Sequence, residues 1–176
     1  MMKRAILWLI VLALAAGCRK DRRERLFEMF FPNFQFTIRA GESPVLPVSA
    51  VLRGVNTNID FYLSENQLDT TQITAISPIS ARLDAVNGFD YRFMDFVSVR
   101  ICPDTDEPCV DADEVFYIDR LQYDRPGDHI DLLPGLRNVR RDLIRKKFRL
   151  EVVMKFAYSP PSDVDTRFDM TFQALR

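Results

Sequence analysis

The sequence predicts an all-β fold: an immunoglobulin-like antiparallel β-sandwich of seven or eight strands with two short helices, or alternatively a small β-barrel. Apolar and polar side chains alternate with the two-residue period of half-buried strands in many segments, and glycines fall between these segments, where turns need them. The chain has 176 residues, 47% of them hydrophobic, and its 24 basic and 25 acidic side chains nearly cancel. These values fit one folded domain and exclude a large multidomain enzyme and wholesale disorder.

The chain begins with a segment typical of a secretory signal peptide, which we assign to residues 1–17. Lys3 and Arg4 precede an apolar run over residues 5–14, and small residues follow. The run is shorter than the roughly 20 residues that span a bilayer, although an uncleaved spanning helix is the alternative. The small residues before Cys18 are similar to a bacterial lipobox, where the signal is cut before a cysteine that carries a diacylglyceryl group. We therefore expect a lipoprotein attached to the membrane by an acyl anchor at Cys18.

The residues after Cys18 predict where the protein resides and where its domain begins. Aspartate directly after a lipidated cysteine commonly marks retention in the inner membrane, and this chain has Arg19 there. By that resemblance we expect the outer membrane, with the domain facing the periplasm or the cell surface. Residues 18–31 are predicted to form the lipidated cysteine and a basic tether, and residues 32–176 the β-sandwich domain.

Eight segments show the strand pattern, the clearest of them near the C-terminus. They are residues 33–40, 45–52, 79–84, 97–101, 115–121, 129–133, 148–158 and 168–174. The last two are separated by a turn sequence at residues 159–163 and are predicted to form an antiparallel hairpin. One helix is predicted over residues 58–66 after a cap at Thr57, and another from a cap at Asn138 through Lys146.

Cys102 and Cys109 enclose six residues between two predicted strands. With Cys18 assigned to the lipid, they form an even pair in a compartment that permits disulfides. A structural disulfide that closes the base of this hairpin loop is therefore predicted. A zinc site is disfavoured because no second cysteine pair or nearby histidine completes it, and a redox dithiol because the spacing is not C-x-x-C.

Carboxylates crowd the same hairpin, and oxygen ligands of this kind suit a hard cation such as Ca²⁺. The candidate calcium ligands are Asp104, Asp106, Glu107, Asp111 and Asp113. Their spacing is not that of an EF-hand loop. A solvated hairpin tip and a surface that docks a partner are the alternatives.

A basic segment surrounds the second predicted helix. Its candidate contacts to lipid phosphate or to an acidic partner are Arg137, Arg140, Arg141, Arg145 and Lys146. The helix dipole also favours cations at a helix C-terminus, so a solvated face is the alternative. We expect no nucleic-acid binding, because the exported domain is net acidic and has no motif that reads DNA or RNA.

Sequence motifs of catalysis are missing. His129 is the only histidine, and the chain has no G-x-S-x-G, P-loop, G-x-G-x-x-G or H-E-x-x-H. We therefore expect neither enzymatic activity nor a cofactor. Sugar rings could stack on the tyrosine side chains of the mature chain, because the only tryptophan, Trp8, lies in the predicted signal peptide. These are Tyr62, Tyr91, Tyr117, Tyr123 and Tyr158.

The chain resembles a set of uncharacterised Gram-negative outer-membrane lipoproteins with an immunoglobulin-like β-sandwich domain. The segments that carry the resemblance are residues 56–83, 97–101, 130–134 and 168–172. The resemblance extends over residues 30–176 and implies an exported, lipid-anchored sandwich, with no catalytic or ligand residues to transfer. We therefore expect a non-catalytic envelope protein that binds or supports an envelope protein partner. A glycan- or calcium-binding module is the alternative.

Overall fold

A computed structural model describes residues 24–176, which form eight antiparallel β-strands and three short α-helices. The strands are β1 (Arg25–Ile38), β2 (Val48–Asn56), β3 (Ala75–Ala85), β4 (Met94–Pro103), β5 (Glu114–Ile118), β6 (His129–Pro134), β7 (Lys147–Phe156) and β8 (Val164–Leu175). The helices are α1 (Ile59–Glu65), α2 (Leu121–Asp124) and α3 (Arg140–Leu143). The all-β prediction is confirmed, while the predicted signal peptide and Cys18 lie outside the described residues.

The strands form one nearly closed sheet in the order β1-β8-β3-β6-β5-β4-β7-β2. Two four-stranded halves, β1-β8-β3-β6 and β5-β4-β7-β2, meet through a short ladder that pairs Phe116 with Pro134 and Tyr117 with Leu133. The first strand pairs with the eighth, the second with the seventh and the third with the sixth, which is the nested order of a jelly roll. The sequence predicts a sandwich, and the strand order shows which kind of sandwich it is. Immunoglobulin domains arrange their strands as ABED against CFG, whereas the two halves here each have four strands in the jelly-roll order.

Aromatic side chains from both halves meet in the core. The ring of Phe31 on β1 lies 5.5 Å from that of Phe148 on β7 and 5.9 Å from that of Phe172 on β8. Phe172 in turn lies 5.3 Å from Phe116 on β5. All three contacts are tilted or edge-to-face, and two of them, Phe31 with Phe148 and Phe172 with Phe116, join one half of the sheet to the other.

The first strand begins at Arg25, seven residues earlier than the predicted domain boundary at residue 32. Its register with β8 shifts between Phe31 and Phe34, where Asn33 has a positive φ of 66°. Such a bulge exchanges the two faces of a strand. Phe27, Met29 and Phe31 are therefore buried before it, and even-numbered residues face inward after it. Residues 25–31 belong to the sheet and not to the tether.

The predicted hairpin of the last two strands is wrong. β7 pairs with β2 and β4 in one half, whereas β8 pairs with β1 and β3 in the other. The connection at residues 157–163 therefore crosses from one half to the other. Both strands bury an alternating apolar face, and that pattern is the same whether consecutive strands pair or lie in opposite layers.

Helix α1 covers the gap between the two free edges of the sheet, β1 and β2. The Tyr62 hydroxyl accepts a hydrogen bond from the Phe30 backbone N–H at 3.1 Å, and its ring stacks on Phe27 at 5.6 Å. This contact satisfies a backbone donor on an edge strand that has no strand neighbour there. The helix forms where the sequence predicts it. The Thr57 hydroxyl accepts a hydrogen bond from the backbone N–H of Ile59, the first residue of the helix, but Asn58 and not Thr57 directly precedes the helix.

One end of the sandwich, which we call the entry end, holds the start of β1. Arg25 pairs with Leu175 at the end of β8, and Leu175 pairs with Ala75 at the start of β3. Helix α3 lies at the same end, because Val139 donates a backbone hydrogen bond to Ile76. No helix in the described part of the chain has both the length and the apolar character needed to cross a membrane.

Candidate functional site

The predicted disulfide is present and joins Cys102 at the end of β4 to Cys109. We call residues 102–109 the disulfide loop. The loop connects toward β5, and β4 and β5 pair antiparallel as the predicted hairpin requires. The disulfide loop does not project into solvent away from the domain. Arg149 on β7 donates hydrogen bonds to the backbone oxygens of Thr105 and Glu107, so the loop lies on the outer face of the sheet.

Beneath this loop lies a buried ion pair that sequence reasoning missed. Arg149 and Glu151 are 6% and 5% exposed, and their charged groups are 2.6 Å apart. Glu151 also accepts a hydrogen bond from the Cys109 backbone N–H at 3.2 Å. Both residues lie between inward-facing side chains of β7 and so point to the outer face of the sheet, where the sequence pattern predicts exposure to solvent. The loop covers them, and only the short cysteine spacing before β5 could have suggested such a cover.

The five candidate calcium ligands do not converge among residues 24–176. Three of their carboxylates pair with arginines: Asp106 with Arg53 at 3.0 Å, Asp111 with Arg100 at 2.5 Å and Asp113 with Arg137 at 2.9 Å. Asp104 and Glu107 are exposed. In the described part of the chain, the only group of three potential ligands is Cys102, Cys109 and Asp113. Its two sulfurs are bonded to each other and cannot act as thiolate ligands.

Calcium is therefore expected to leave the thermal stability unchanged. Each carboxylate that pairs with an arginine already has its counter-charge, and a binding ion would have to break those pairs. The check is a thermal unfolding curve in chelator and in millimolar Ca²⁺, with Asp104→Asn/Asp106→Asn as the matched variant. A rise in Tm for the natural protein that this variant abolishes would restore the calcium site.

Arg137 joins the acidic and basic segments that the sequence presents as separate surfaces. Its guanidinium lies 2.9 Å from Asp113 in the segment that follows the disulfide loop and 2.9 Å from Asp142 on α3. It also donates hydrogen bonds to the backbone oxygens of Ile101 and Asp113. Arg137 is a structural contact between β4, the start of β5 and α3, and is not free to bind an anion.

Asp142 is buried between these groups, and burial raises its pKa above the usual value even though the Arg137 guanidinium acts in the opposite direction. The folded protein therefore holds this proton more tightly than the unfolded chain does. The resulting stabilisation is present below the ordinary value of 3.8 and is lost as the pH rises through the raised pKa.

Asp142→Asn is expected to be at least as stable as the natural protein at pH 7. The amide keeps an oxygen for Arg137 and removes the buried charge. The difference in the free energy of unfolding should shrink as the pH falls toward 4. Urea unfolding of both proteins over that range measures it, and a variant that is clearly less stable at pH 7 would show instead that the ion pair outweighs burial.

The other basic candidates divide into one structural residue and three exposed ones. Arg140 donates hydrogen bonds to the backbone oxygens of Ile73 at 2.5 Å and Thr70 at 2.9 Å, which attach α3 to the segment before β3. Arg141, Arg145 and Lys146 are exposed, and none of the three pairs with a carboxylate in the part of the chain that the structure describes. Of the five predicted basic candidates, these three are left to meet a ligand.

The remaining candidates lie apart from this site. His129 is exposed, and its Nδ1 lies 3.0 Å from the Asp128 carboxylate. Tyr91 is fully buried, where its hydroxyl bonds to Thr166 at 3.1 Å and burial raises its pKa strongly. The tyrosines with the most exposed rings are Tyr117, Tyr123 and Tyr158. Tyr117 lies at the junction of β5 and β6, and Tyr158 follows β7.

Comparisons with known proteins give no family. No family model matches the chain, and no curated protein matches it. Among solved structures, the chain is similar to a chain in the acidic stable capsid structure of Helicobacter pylori bacteriophage KHP30, at 11% identity. The similarity covers 86% of this chain and 91% of that one, with a TM-score of 0.36. A likeness at this level carries no functional argument.

Proposed function

We propose that the protein is a non-catalytic lipoprotein, anchored at the outer membrane through Cys18, whose jelly-roll domain binds or supports another envelope protein. The disulfide is the observation that carries the proposal. The chain has three cysteines, and the bond between Cys102 and Cys109 accounts for two of them. Disulfides are typical of exported proteins, and the third cysteine, Cys18, directly follows the predicted signal peptide.

The position of the first strand supports an anchor at this cysteine. β1 begins at Arg25, seven residues after Cys18, and is paired with β8 from its first residue. A short connection of this kind holds a folded domain close to the membrane. Anchoring then raises the local concentration of the domain near other envelope proteins, so a modest interface suffices for binding.

The surroundings of His129 favour a binding role over a catalytic one. Its described side-chain partner is Asp128, and both groups are exposed to solvent. General acid–base or nucleophilic catalysis needs a reacting group within hydrogen-bond reach in a site that excludes water. An exposed pair at the start of β6 supplies neither. The fold itself selects no function, because jelly rolls serve many.

Co-purification from native membranes in mild detergent tests this proposal. The full-length protein is compared with Cys18→Ala, and bound proteins are identified by mass spectrometry. We expect a stoichiometric envelope protein with the natural chain that is lost with the variant. If both versions bring down only background proteins, the accessory role fails, and titration of glycans against the domain becomes the next experiment.

A further inference from the structure

We propose that the domain rests on the membrane through the entry end, with Arg141, Arg145 and Lys146 against the anionic headgroups and the Phe61 ring at the interface. This inference rests on the proposed anchor at Cys18 and adds which face of the domain meets the lipid. It follows from where the chain enters the fold, from the charges left free there and from an exposed aromatic ring beside them.

The length of chain between the anchor and the fold limits which face can reach the bilayer. Arg25 lies seven positions after Cys18, and a fully extended segment of that length spans at most about 24 Å. The opposite end of the sandwich is one strand length further away, since β1 alone has 14 residues. The anchor therefore holds the entry end closest to the membrane.

Hydrogen bonds place the three exposed cations at this same end. Val139 is bonded to Ile76 near the start of β3, which fixes α3 and with it Arg141. The backbone oxygens of Arg145 and Lys146 accept hydrogen bonds from Thr57, which follows the end of β2. The cations thus lie between the end of β2 and the start of β3, over the strand ends of the entry end.

Charge at this end favours an anionic surface near α3. The acids Glu24 and Glu28 next to the start of β1 already pair with Arg176 and Arg25. Asp142, the one acid on α3, is buried with Arg137. Helix α1 carries exposed acids of its own. The disulfide loop, which follows the end of β4 beside the start of β7, adds the exposed Asp104 and Glu107 at this end. The excess of positive charge is therefore local to residues 141–147, where Lys147 is a fourth exposed cation.

An exposed aromatic ring adjoins these cations. Phe61 on α1 is 60% exposed and, together with Lys146, lines a shallow hollow of about 240 Å³. Phe30 on the neighbouring β1 edge is 54% exposed. Aromatic rings beside lysines and arginines are typical of surfaces that lie in the headgroup region of a bilayer. An acidic protein would satisfy the cations equally well, but it would not explain why they lie at the anchored end.

A single tryptophan probe tests the orientation of the full-length, lipidated protein in vesicles. Trp8, the only tryptophan, lies in the predicted signal peptide, so the processed chain would contain only the introduced probe. Phe61→Trp reports on the entry end. Phe89→Trp is the matched control, since Phe89 is also exposed and lies in the β3–β4 connection at the opposite end. The vesicles contain brominated phosphatidylcholine, with or without phosphatidylglycerol, and bromine quenches tryptophan that reaches the lipid.

We expect quenching of Phe61→Trp in the vesicles with phosphatidylglycerol and none of Phe89→Trp. Each cation near an anionic surface contributes about fivefold to partitioning, so Arg141→Glu/Arg145→Glu/Lys146→Glu should abolish the quenching while the anchored protein still floats with the vesicles. High salt should weaken the quenching in the same way. If the protein floats and Phe61→Trp is unquenched, this inference is overturned and an acidic protein becomes the candidate partner of the cations. If the protein does not float, the anchor fails and this inference fails with it.

Discussion

Glu151→Leu is expected to lower the free energy of unfolding by about 3–5 kcal/mol, the loss typical when one partner of a buried ion pair is removed. The substitution leaves the Arg149 guanidinium buried without its carboxylate. It also removes the acceptor for the Cys109 backbone N–H. Urea unfolding followed by circular dichroism measures the effect.

Two controls separate the ion pair from side-chain packing. Arg149→Met/Glu151→Leu removes both charges and should recover much of the lost stability, because a buried pair and a matched apolar pair are often close in energy. Glu28→Gln breaks the exposed pair with Arg25 and should change the stability by less than about 1 kcal/mol. A Glu151→Leu protein as stable as the natural one would mean that the disulfide loop does not cover this pair in solution.

Loss of the disulfide is expected to cost about 2.5 kcal/mol from the entropy of closing an eight-residue loop. The paired substitution Cys102→Ser/Cys109→Ser frees the loop that supplies two backbone oxygens to Arg149. The loss should therefore exceed the entropic value, because water gains access to the buried pair. The unfolding free energy of the variant, compared with that of the natural protein with and without reductant, checks this.

Combining the two changes tests whether loop and ion pair act as one unit. In the background of Cys102→Ser/Cys109→Ser, Glu151→Leu should cost less than it does in the natural protein, since the pair is then partly hydrated. Additive losses would contradict the coupling. They would indicate that the loop keeps its place on β7 without the disulfide.

Local patterns predicted the elements of this fold better than their arrangement. The alternation of residues 148–156 and 168–174 identified β7 and β8, and both bury the predicted face. Their partners depend on how distant strands pack, which a two-residue period does not encode. The bulge at Asn33 concealed the start of β1 for a related reason, because it changes which face is apolar in the middle of one strand.

The sequence predicted which residues belong to the candidate site but not which of them contact one another. Cysteine spacing predicted the disulfide, and the charge runs identified the acidic and basic segments. Tertiary packing brings both Asp113 and Asp142 to the guanidinium of Arg137, although they are 24 and 5 positions from it along the chain. Of the cations that remain exposed, Arg141 lies on α3, and Arg145 and Lys146 follow it. Sequence alone does not separate them from Arg137 and Arg140.

The intact mass of the protein extracted from its own membranes tests the central claim most directly. The account predicts a chain that begins at Cys18, lacks residues 1–17 and carries the added mass of a diacylglyceryl group, with Cys102 and Cys109 still joined. Cys18→Ala should carry no lipid mass and should leave the membrane fraction. A natural protein that retains residues 1–17, or that begins at another residue without lipid, would contradict the account.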